Sequence, residues 1–227
     1  MTDVIVIAVD GPAGSGKSSV CRGVARRLGL RYLDTGAMYR AVTWAVLQAG
    51  VDLHNPVAIA ETAAALVIVS GTDPSAPTIT VNGIDVSGPI REDDVTAAVS
   101  AVSAVPEVRA GLVARQRDEV SSAVASQQGI VVEGRDITSV VLPDADLKVF
   151  ITASPEVRAQ RRAAQDEDRG AGERDIDATK AELIARDAKD STRAVSPLTI
   201  APDAIVVDTS DLDLEQSIVA VCALAVP

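Results

Sequence analysis

Apolar and polar residues follow two patterns along this chain, and the order of those patterns predicts an α/β protein. Short apolar runs rich in β-branched residues predict buried strands at 4–9, 30–34, 130–133, 147–151 and 204–208. Stretches with apolar residues spaced three and four apart lie between them and predict helices, the first at 18–28. Strands that alternate with helices in this way indicate a doubly wound core with a five-stranded parallel sheet flanked by helices.

The spacing changes from helical to alternating between residues 66 and 87. Three runs, at 66–70, 78–81 and 84–86, predict short strands, and Asn82-Gly83 between the last two is a strong hairpin signal. Helical spacing resumes at 92–103 and again after Pro106. Antiparallel strands that interrupt a βα pattern predict a small insertion outside the main sheet.

The turn between the first strand and the first helix matches the pattern G-x-x-x-x-G-K-[ST], which defines the P-loop. Glycines let successive backbone N–H groups converge on an anion, and the helix N-terminus adds partial positive charge. Lys17, expected to be exposed, would reach the β- and γ-phosphates, and the Ser18 hydroxyl would hold Mg²⁺. The alternative interpretation, a glycine-rich turn that binds no ligand, is disfavoured because the loop lies directly after a predicted strand. The predicted ATP-binding residues are Gly11, Pro12, Ala13, Gly14, Ser15, Gly16, Lys17, Ser18 and Ser19.

Composition narrows the classes of partner. The chain has 227 residues, 47% of them apolar, and a net charge of −11, which disfavours nonspecific binding to nucleic acid or anionic membranes. Cys21 and Cys222 lie on separate apolar helical segments, far apart in sequence. This placement predicts buried free thiols and is typical of a protein in a reducing compartment. No signal-peptide pattern is found at the start, so we expect a cytoplasmic protein. His54, the only histidine, is expected at the surface without a catalytic role.

Arginines are concentrated late in the chain. Many have acidic neighbours, and taken alone this segment favours a solvated helical hairpin laced with salt bridges. Beside a P-loop, an arginine-rich segment with a polar, glycine-containing tip instead favours a mobile lid over a polyphosphate. The seven arginines are Arg158, Arg161, Arg162, Arg169, Arg174, Arg186 and Arg193.

Five motifs occur in an order that resembles bacterial cytidylate kinases, the nucleoside monophosphate kinases that phosphorylate CMP and dCMP. The resemblance covers essentially the whole chain and implies a P-loop core at 1–35, 105–157 and 178–227. It also implies an acceptor nucleotide-binding region with the insertion at 36–104 and a lid at 158–177. Many families share the P-loop, but the insertion and the last two motifs are more specific. The motifs are the P-loop at 10–18, D-T-G-A-M-Y-R at 34–40, V-S-G-P-I-R at 86–91, E-G-R-D at 133–136 and R-A-V-S-P-L at 193–198.

The resemblance also implies roles for individual residues. Thr35 stands where the family often has Ser, and Glu133 stands where it often has Asp. Neither change removes the functional group, since Thr keeps the hydroxyl and Glu keeps the negative charge. Which lid arginine faces the transferred phosphoryl group is left open. The implied catalytic residues are Lys17, Arg135, Arg158 and Arg162. The implied CMP-binding residues are Arg40 and Arg193, with Arg135, around the phosphate; Thr35, Ser100, Arg109 and Asp136 around the cytosine; and Arg186 and Asp190 near the ribose.

The expected function is Mg²⁺-dependent transfer of the γ-phosphoryl group of ATP to CMP and dCMP in pyrimidine nucleotide metabolism, by a monomer. Phosphoryl transfer needs positioning and charge neutralisation rather than covalent catalysis, so the absence of a usable histidine is no obstacle. Another small-molecule P-loop kinase would share the loop and lid and differ in its acceptor pocket. A nucleotide-dependent switch is less favoured, because no N-K-x-D guanine motif is found.

Overall fold

The structure is a computed structural model that describes residues 4–168, 175–193 and 195–225. A 3₁₀ turn at Pro89–Arg91 and a π-helical turn at Ile137–Val141 join longer elements. The strands and helices are β1 Val6–Asp10, α1 Lys17–Leu28, β2 Arg31–Asp34, α2 Thr35–Gln48, α3 Pro56–Ala64, β3 Ile68–Ser70, β4 Ile79–Val81, β5 Ile84–Asp85, α4 Asp93–Ser103, α5 Pro106–Ala125, β6 Ile130–Gly134, β7 Leu147–Thr152, α6 Pro155–Asp168, α7 Ile176–Thr192, β8 Ile205–Asp208 and α8 Leu214–Ala225.

Five parallel strands form the main sheet in the order β2-β6-β1-β7-β8, which confirms the predicted core. Parallel strands bring their carboxyl ends to one edge of a sheet. The loop after β1, the start of α2 after β2, and the end of β6 therefore all lie at this carboxyl edge.

Helices cover both faces of the sheet and create two cores. Alternate residues of β1 enter different cores: Ile7 and Val9 pack with α1 and α8, whereas Ala8 packs with the α2 side. Cys21 and Cys222 are free thiols buried in the α1–α8 core, as predicted. The predicted surface position of His54 is also confirmed, since its side chain is 95% exposed.

The predicted insertion is a separate antiparallel sheet of β3, β4 and β5. Its hairpin turns at Asn82 and Gly83, whose φ angles of 51° and 81° are those of a type I′ turn. Ile79 and Val81 of β4 are buried against the core that contains α2. The insertion is thereby attached to the helix that begins at the carboxyl edge.

Within the described residues, no single helix has both the length and the apolar character needed to cross a membrane. Helices α4 and α5 meet that criterion only as a pair, and the pair is bent by 99°.

The carboxylate of Asp10 joins the end of β1 to the turn that follows β6. Asp10 is fully buried, and its Oδ1 accepts a hydrogen bond of 2.9 Å from the Ile137 N–H. Its Oδ2 accepts bonds from the Thr138 N–H at 2.8 Å and the Thr138 hydroxyl at 2.7 Å. Burial raises the pKa of Asp10, and these hydrogen bonds oppose that rise by favouring the charged form. The contacts fix the base of the P-loop against β6.

We expect Asp10→Asn to destabilise the fold by about 2–3 kcal/mol. The asparagine amide can take two orientations, and in each of them its NH₂ group faces a buried backbone N–H, that of Ile137 or that of Thr138. Urea unfolding monitored by circular dichroism measures this loss. The exposed Asp144 supplies a matched control, and Asp144→Asn should leave the unfolding midpoint nearly unchanged. Equal midpoints for the two variants would contradict the role assigned to Asp10.

Candidate active site

The P-loop has the curled backbone that anion binding requires. Gly14 and Gly16 have φ angles of 76° and 79°, in the left-handed region that favours glycine. A Cβ at Gly14 would also lie 2.8 Å from the Arg158 carbonyl oxygen. Ser15 is buried, and its hydroxyl has no hydrogen-bond partner among the described residues. The loop therefore brings unsatisfied donors to the N-terminus of α1, where an anion is favoured.

Lys17 is buried and paired, so the expectation of an exposed lysine is wrong. Only 7% of Lys17 is accessible, and its Nζ lies 3.5 Å from Oε2 of Glu133. The reason is tertiary: β6 is the neighbour of β1 in the sheet and places a buried carboxylate beside the first turn of α1. An isolated charge at that depth is costly, and the lysine neutralises it.

Two of the three predicted lid arginines on α6 are held by the protein itself. Arg158 donates to the Ala13 carbonyl at 3.2 Å and pairs with Asp187 of α7, whose Oδ1 accepts from the Ala13 N–H at 3.3 Å. Arg161 donates to the Thr209 hydroxyl at 2.9 Å and to its carbonyl at 2.7 Å. It also reaches the Ser15 carbonyl at 3.3 Å. Both arginines thus bind α6 to the P-loop.

Arg162 has a different position. It pairs at 3.1 Å with Asp166, one turn further along α6. It lines a P-loop cavity and also a central cleft bounded by the P-loop, α4 and α7. The residues that form the outer wall of the P-loop cavity were not predicted from the sequence. They follow β8, and ligand-binding residues of a parallel sheet are expected after the carboxyl ends of its strands. That wall consists of Thr209, Leu212, Asp213, Leu214 and Ser217.

A second cavity, here called the arginine cavity, lies beside the P-loop at the same carboxyl edge. All eight residues predicted for the acceptor nucleotide line it, together with Arg135. Tyr39 and Ser103 also line it and were not predicted. Helices α2 and α4 meet β6 and α7 there, which joins residues far apart in sequence. The predicted residues are Thr35, Arg40, Ser100, Arg109, Asp136, Arg186, Asp190 and Arg193.

A buried ion pair lines the arginine cavity. Arg109 and Asp136 are 3% and 4% exposed, and Nη2 of Arg109 donates to Oδ2 of Asp136. The Arg109 guanidinium also lies over the ring of Tyr39, 5.3 Å from its centroid. A fixed carboxylate beside a fixed guanidinium presents one acceptor and one donor edge to a ligand.

The arginine cavity as a whole carries an excess of positive charge. Asp190 pairs with Arg135 at 3.1 Å and with Arg193 at 3.8 Å. Burial, followed by the charge of Arg186, lowers the pKa of Arg40 to about 9. Burial, followed by the charge of Arg135, lowers the pKa of Arg186 to about 10. The Nε atoms of Arg186 and Arg193 are buried without a hydrogen-bond partner among the described residues. Clustered arginines of this kind are suited to a phosphate group.

The described residues contain no group of three or more His, Cys, Asp or Glu side chains that could hold a metal ion. Ser18 is exposed in the first turn of α1, beside the P-loop. Mg²⁺ that arrives with a nucleotide takes most of its ligands from phosphate and water, so one hydroxyl fits that ion.

A family model described as cytidylate kinase matches residues 7–226. The chain belongs to the cytidylate kinase family. A cytidylate kinase from Streptomyces griseus is 59% identical over 220 residues, which cover 97% of this chain and 92% of that protein. One from Nocardia farcinica is 56% identical over 214 residues, or 94% and 90% of the two chains. The chain is therefore a nucleoside monophosphate kinase, as its motifs indicated.

A solved structure of an uncharacterized protein from Eubacterium ventriosum is similar in fold. Its TM-score is 0.51 at 10% identity, and the match covers 98% of this chain and 99% of that one. At this identity the likeness concerns the fold alone.

The two residues that depart from frequent choices in cytidylate kinases contact each other. The Thr35 hydroxyl donates to the Glu133 carbonyl at 2.7 Å. A Cβ at the next residue, Gly134, would lie 2.6 Å from the same hydroxyl. The close approach of the Thr35 and Ile137 side chains to the end of β6 accounts for glycine at this position.

We expect Lys17→Ala to reduce the free energy of unfolding by about 3 kcal/mol, because Glu133 then keeps a buried negative charge without a neutralising cation. Adding Glu133→Gln should restore at least half of the loss. Urea unfolding of both variants tests this, with Lys180→Ala as control, since the Lys180 pair with Glu156 is solvent-exposed. Equal losses from Lys17→Ala and Lys180→Ala would contradict the buried pair.

Proposed function

We propose that this chain transfers the γ-phosphoryl group of ATP to CMP, giving CDP and ADP, with dCMP as a second acceptor and Mg²⁺ bound with ATP. One observation carries the proposal. The P-loop and the arginine cavity lie side by side at the carboxyl edge, and the cavity is lined both by a buried Arg109–Asp136 pair and by a cluster of further arginines. A nucleoside monophosphate has a polar base and a dianionic phosphate, which match that pair and that cluster.

On the donor side, residues Gly11 to Ser19 surround the ATP phosphates, and the backbone N–H groups from Gly14 onward bind them, because Pro12 has no N–H and that of Ala13 is held by Asp187. The Ser15 hydroxyl is a further free donor among the described residues. Lys17 places its ammonium on the β- and γ-phosphates. Ser18 would hold Mg²⁺, which supplies charge neutralisation at the transferred group. The wall formed by Thr209 and the start of α8 accommodates the base of ATP.

On the acceptor side, Arg40, Arg135 and Arg193 bind the CMP phosphate. Arg40 is repelled chiefly by Arg186, and Arg193 by Arg109, and the negative charge of the phosphate relieves this repulsion. Asp190 and Arg186 bind the ribose side of the nucleotide. Arg186 lines both the arginine cavity and the central cleft. The attacking phosphate oxygen is thereby directed at the γ-phosphate, and positioning of this kind accounts for most of the catalysis.

Arg162 is the lid arginine that contacts the transferred phosphoryl group. It lines both the P-loop cavity and the central cleft and pairs within its own helix with Asp166, whereas Arg158 and Arg161 are held against the P-loop. Arg158 then contributes by fixing Ala13 of the P-loop. Residues 158–177 act as the lid that excludes water, and 169–174 of that segment lie outside the described residues.

The division into a core at 1–35, 105–157 and 178–227 and an acceptor region at 36–104 stays a prediction of the sequence. A monomeric, cytoplasmic enzyme without a nucleic-acid or membrane partner stays a prediction of the sequence.

A coupled assay with ATP, Mg²⁺ and a panel of acceptors tests the function. CMP and dCMP should be the best acceptors, with little product from AMP. Lys17→Ala is the negative control, and it should lower turnover per folded molecule at least about a hundredfold, because a preorganised charge on the transition state is lost. Preference for AMP or a coenzyme precursor would favour another small-molecule kinase. ATP hydrolysis without an acceptor-dependent product would favour a switch.

Base selection should depend on hydrogen-bond polarity at Asp136. A carboxylate accepts from the cytosine amine but faces the carbonyl lone pairs of uracil, while Arg109 donates to acceptors on the cytosine ring. A mispaired buried group costs about 1–3 kcal/mol, so we expect CMP to be favoured over UMP by roughly tenfold to a hundredfold. Thr35 and Ser100 complete the walls around the base.

Asp136→Ala should remove most of this preference by raising the KM for CMP, with less effect on UMP. Steady-state rates with both nucleotides measure the change, and the exposed Asp144→Ala is the control. If Asp136→Ala weakened turnover of CMP and UMP by the same factor, Asp136 would be a positional residue that only holds Arg109.

A further inference from the structure

The hydroxyl of Tyr32 is buried and takes no part in the proposed mechanism. Tyr32 is 1% exposed, and its hydroxyl donates a hydrogen bond to Oε1 of Glu133. We propose that Tyr32 is a positioning residue for phosphoryl transfer, which holds the Glu133 carboxylate so that Glu133 presents Lys17 to the nucleotide phosphates. This inference rests on the proposed kinase function.

Strand register explains why the three side chains meet. In the parallel pair β2–β6, Tyr32 is opposite Val131 and Asp34 is opposite Glu133. Residues two apart share a face of a sheet, so Tyr32 and Glu133 point to the same side. Tyr32 and Val131 pack in the core that contains α1, whose first residue is Lys17. The intervening Leu33 and Val132 enter the opposite core.

The two oxygens of Glu133 have different partners. Oε1 accepts from the Tyr32 hydroxyl, and Oε2 lies 3.5 Å from Lys17 Nζ. Burial and the negative charge of Glu133 raise the pKa of Tyr32, so the phenol stays a neutral donor. A lysine ammonium has three N–H donors, and one contact with Glu133 leaves the others for phosphate oxygens.

The arrangement matters because lysine and glutamate are both flexible. An ammonium on a four-carbon stem samples several rotamers unless a fixed group holds it. Glutamate has three rotatable side-chain bonds, and a contact with a lysine alone would leave both groups free to move together. The Tyr32 ring is packed between strand and helix and has few rotamers. Its hydroxyl therefore has a fixed position, and its hydrogen bond holds the Glu133 carboxylate in place.

The experiment compares Tyr32→Phe, Glu133→Gln and the double variant, with rates divided by the folded fraction from circular dichroism. Tyr32→Phe should lower kcat about tenfold, as expected when one buried hydrogen bond that aligns a catalytic charge is lost. The KM for CMP should stay the same, because Tyr32 does not line the arginine cavity. Glu133→Gln should lower kcat at least as much, and the double variant should be no slower than Glu133→Gln alone.

Thr43→Val is the control for loss of a buried hydroxyl. Thr43 is fully buried in α2 and donates to the Tyr39 carbonyl of its own helix. Its kcat should stay within about twofold of the wild type, as for a buried change that leaves the active site in place. Three results would overturn the inference: an unchanged kcat in Tyr32→Phe, additive losses in the double variant, or an equal loss in Thr43→Val. An inactive wild type would instead refute the proposed function.

Discussion

The parallel pairing of β1 with β6 is the constraint on which the whole site depends. This pairing places the P-loop and the segment from Glu133 to Asp136 at one edge of the sheet. The Asp10 carboxylate secures it by accepting three hydrogen bonds from Ile137 and Thr138. Because those donors are buried backbone and hydroxyl groups, the junction is rigid before any nucleotide binds.

An acidic protein can handle polyphosphates here because its cations are concentrated and individually fixed. The arginines at the site are paired with carboxylates that orient them: Arg158 with Asp187, Arg109 with Asp136, and Arg135 with Asp190. Buried Nε atoms without partners among the described residues occur on Arg186 and Arg193, and also on the paired Arg109 and Arg158. The carboxylates therefore orient the arginines without using all of their donors, which leaves capacity for an anion. Catalysis by preorganised charge requires cations held in this way.

Local patterns were sufficient to predict the elements of the fold, because each strand, helix and turn depends on residues that are close together in sequence. Apolar runs located the five core strands, and Asn82-Gly83 located the hairpin of the insertion, since both depend on neighbouring residues only. The P-loop is contiguous, so its glycines and Ser18 were identified directly. Nine residues of the arginine cavity were named through the resemblance to a family, and Tyr39 and Ser103 were missed, because positions far apart in sequence carry no local sign of proximity.

The sequence by itself determined the secondary structure, the order of the elements and the phosphate-binding loop, since each depends on residues only a few positions apart. Only the tertiary structure decided which charges are paired. Lys17 is buried against Glu133 because β6 lies beside β1, and Tyr32 reaches Glu133 because β2 lies beside β6. Strand order is set by packing across the whole sheet, and a buried charge is tolerated only where that packing supplies its partner.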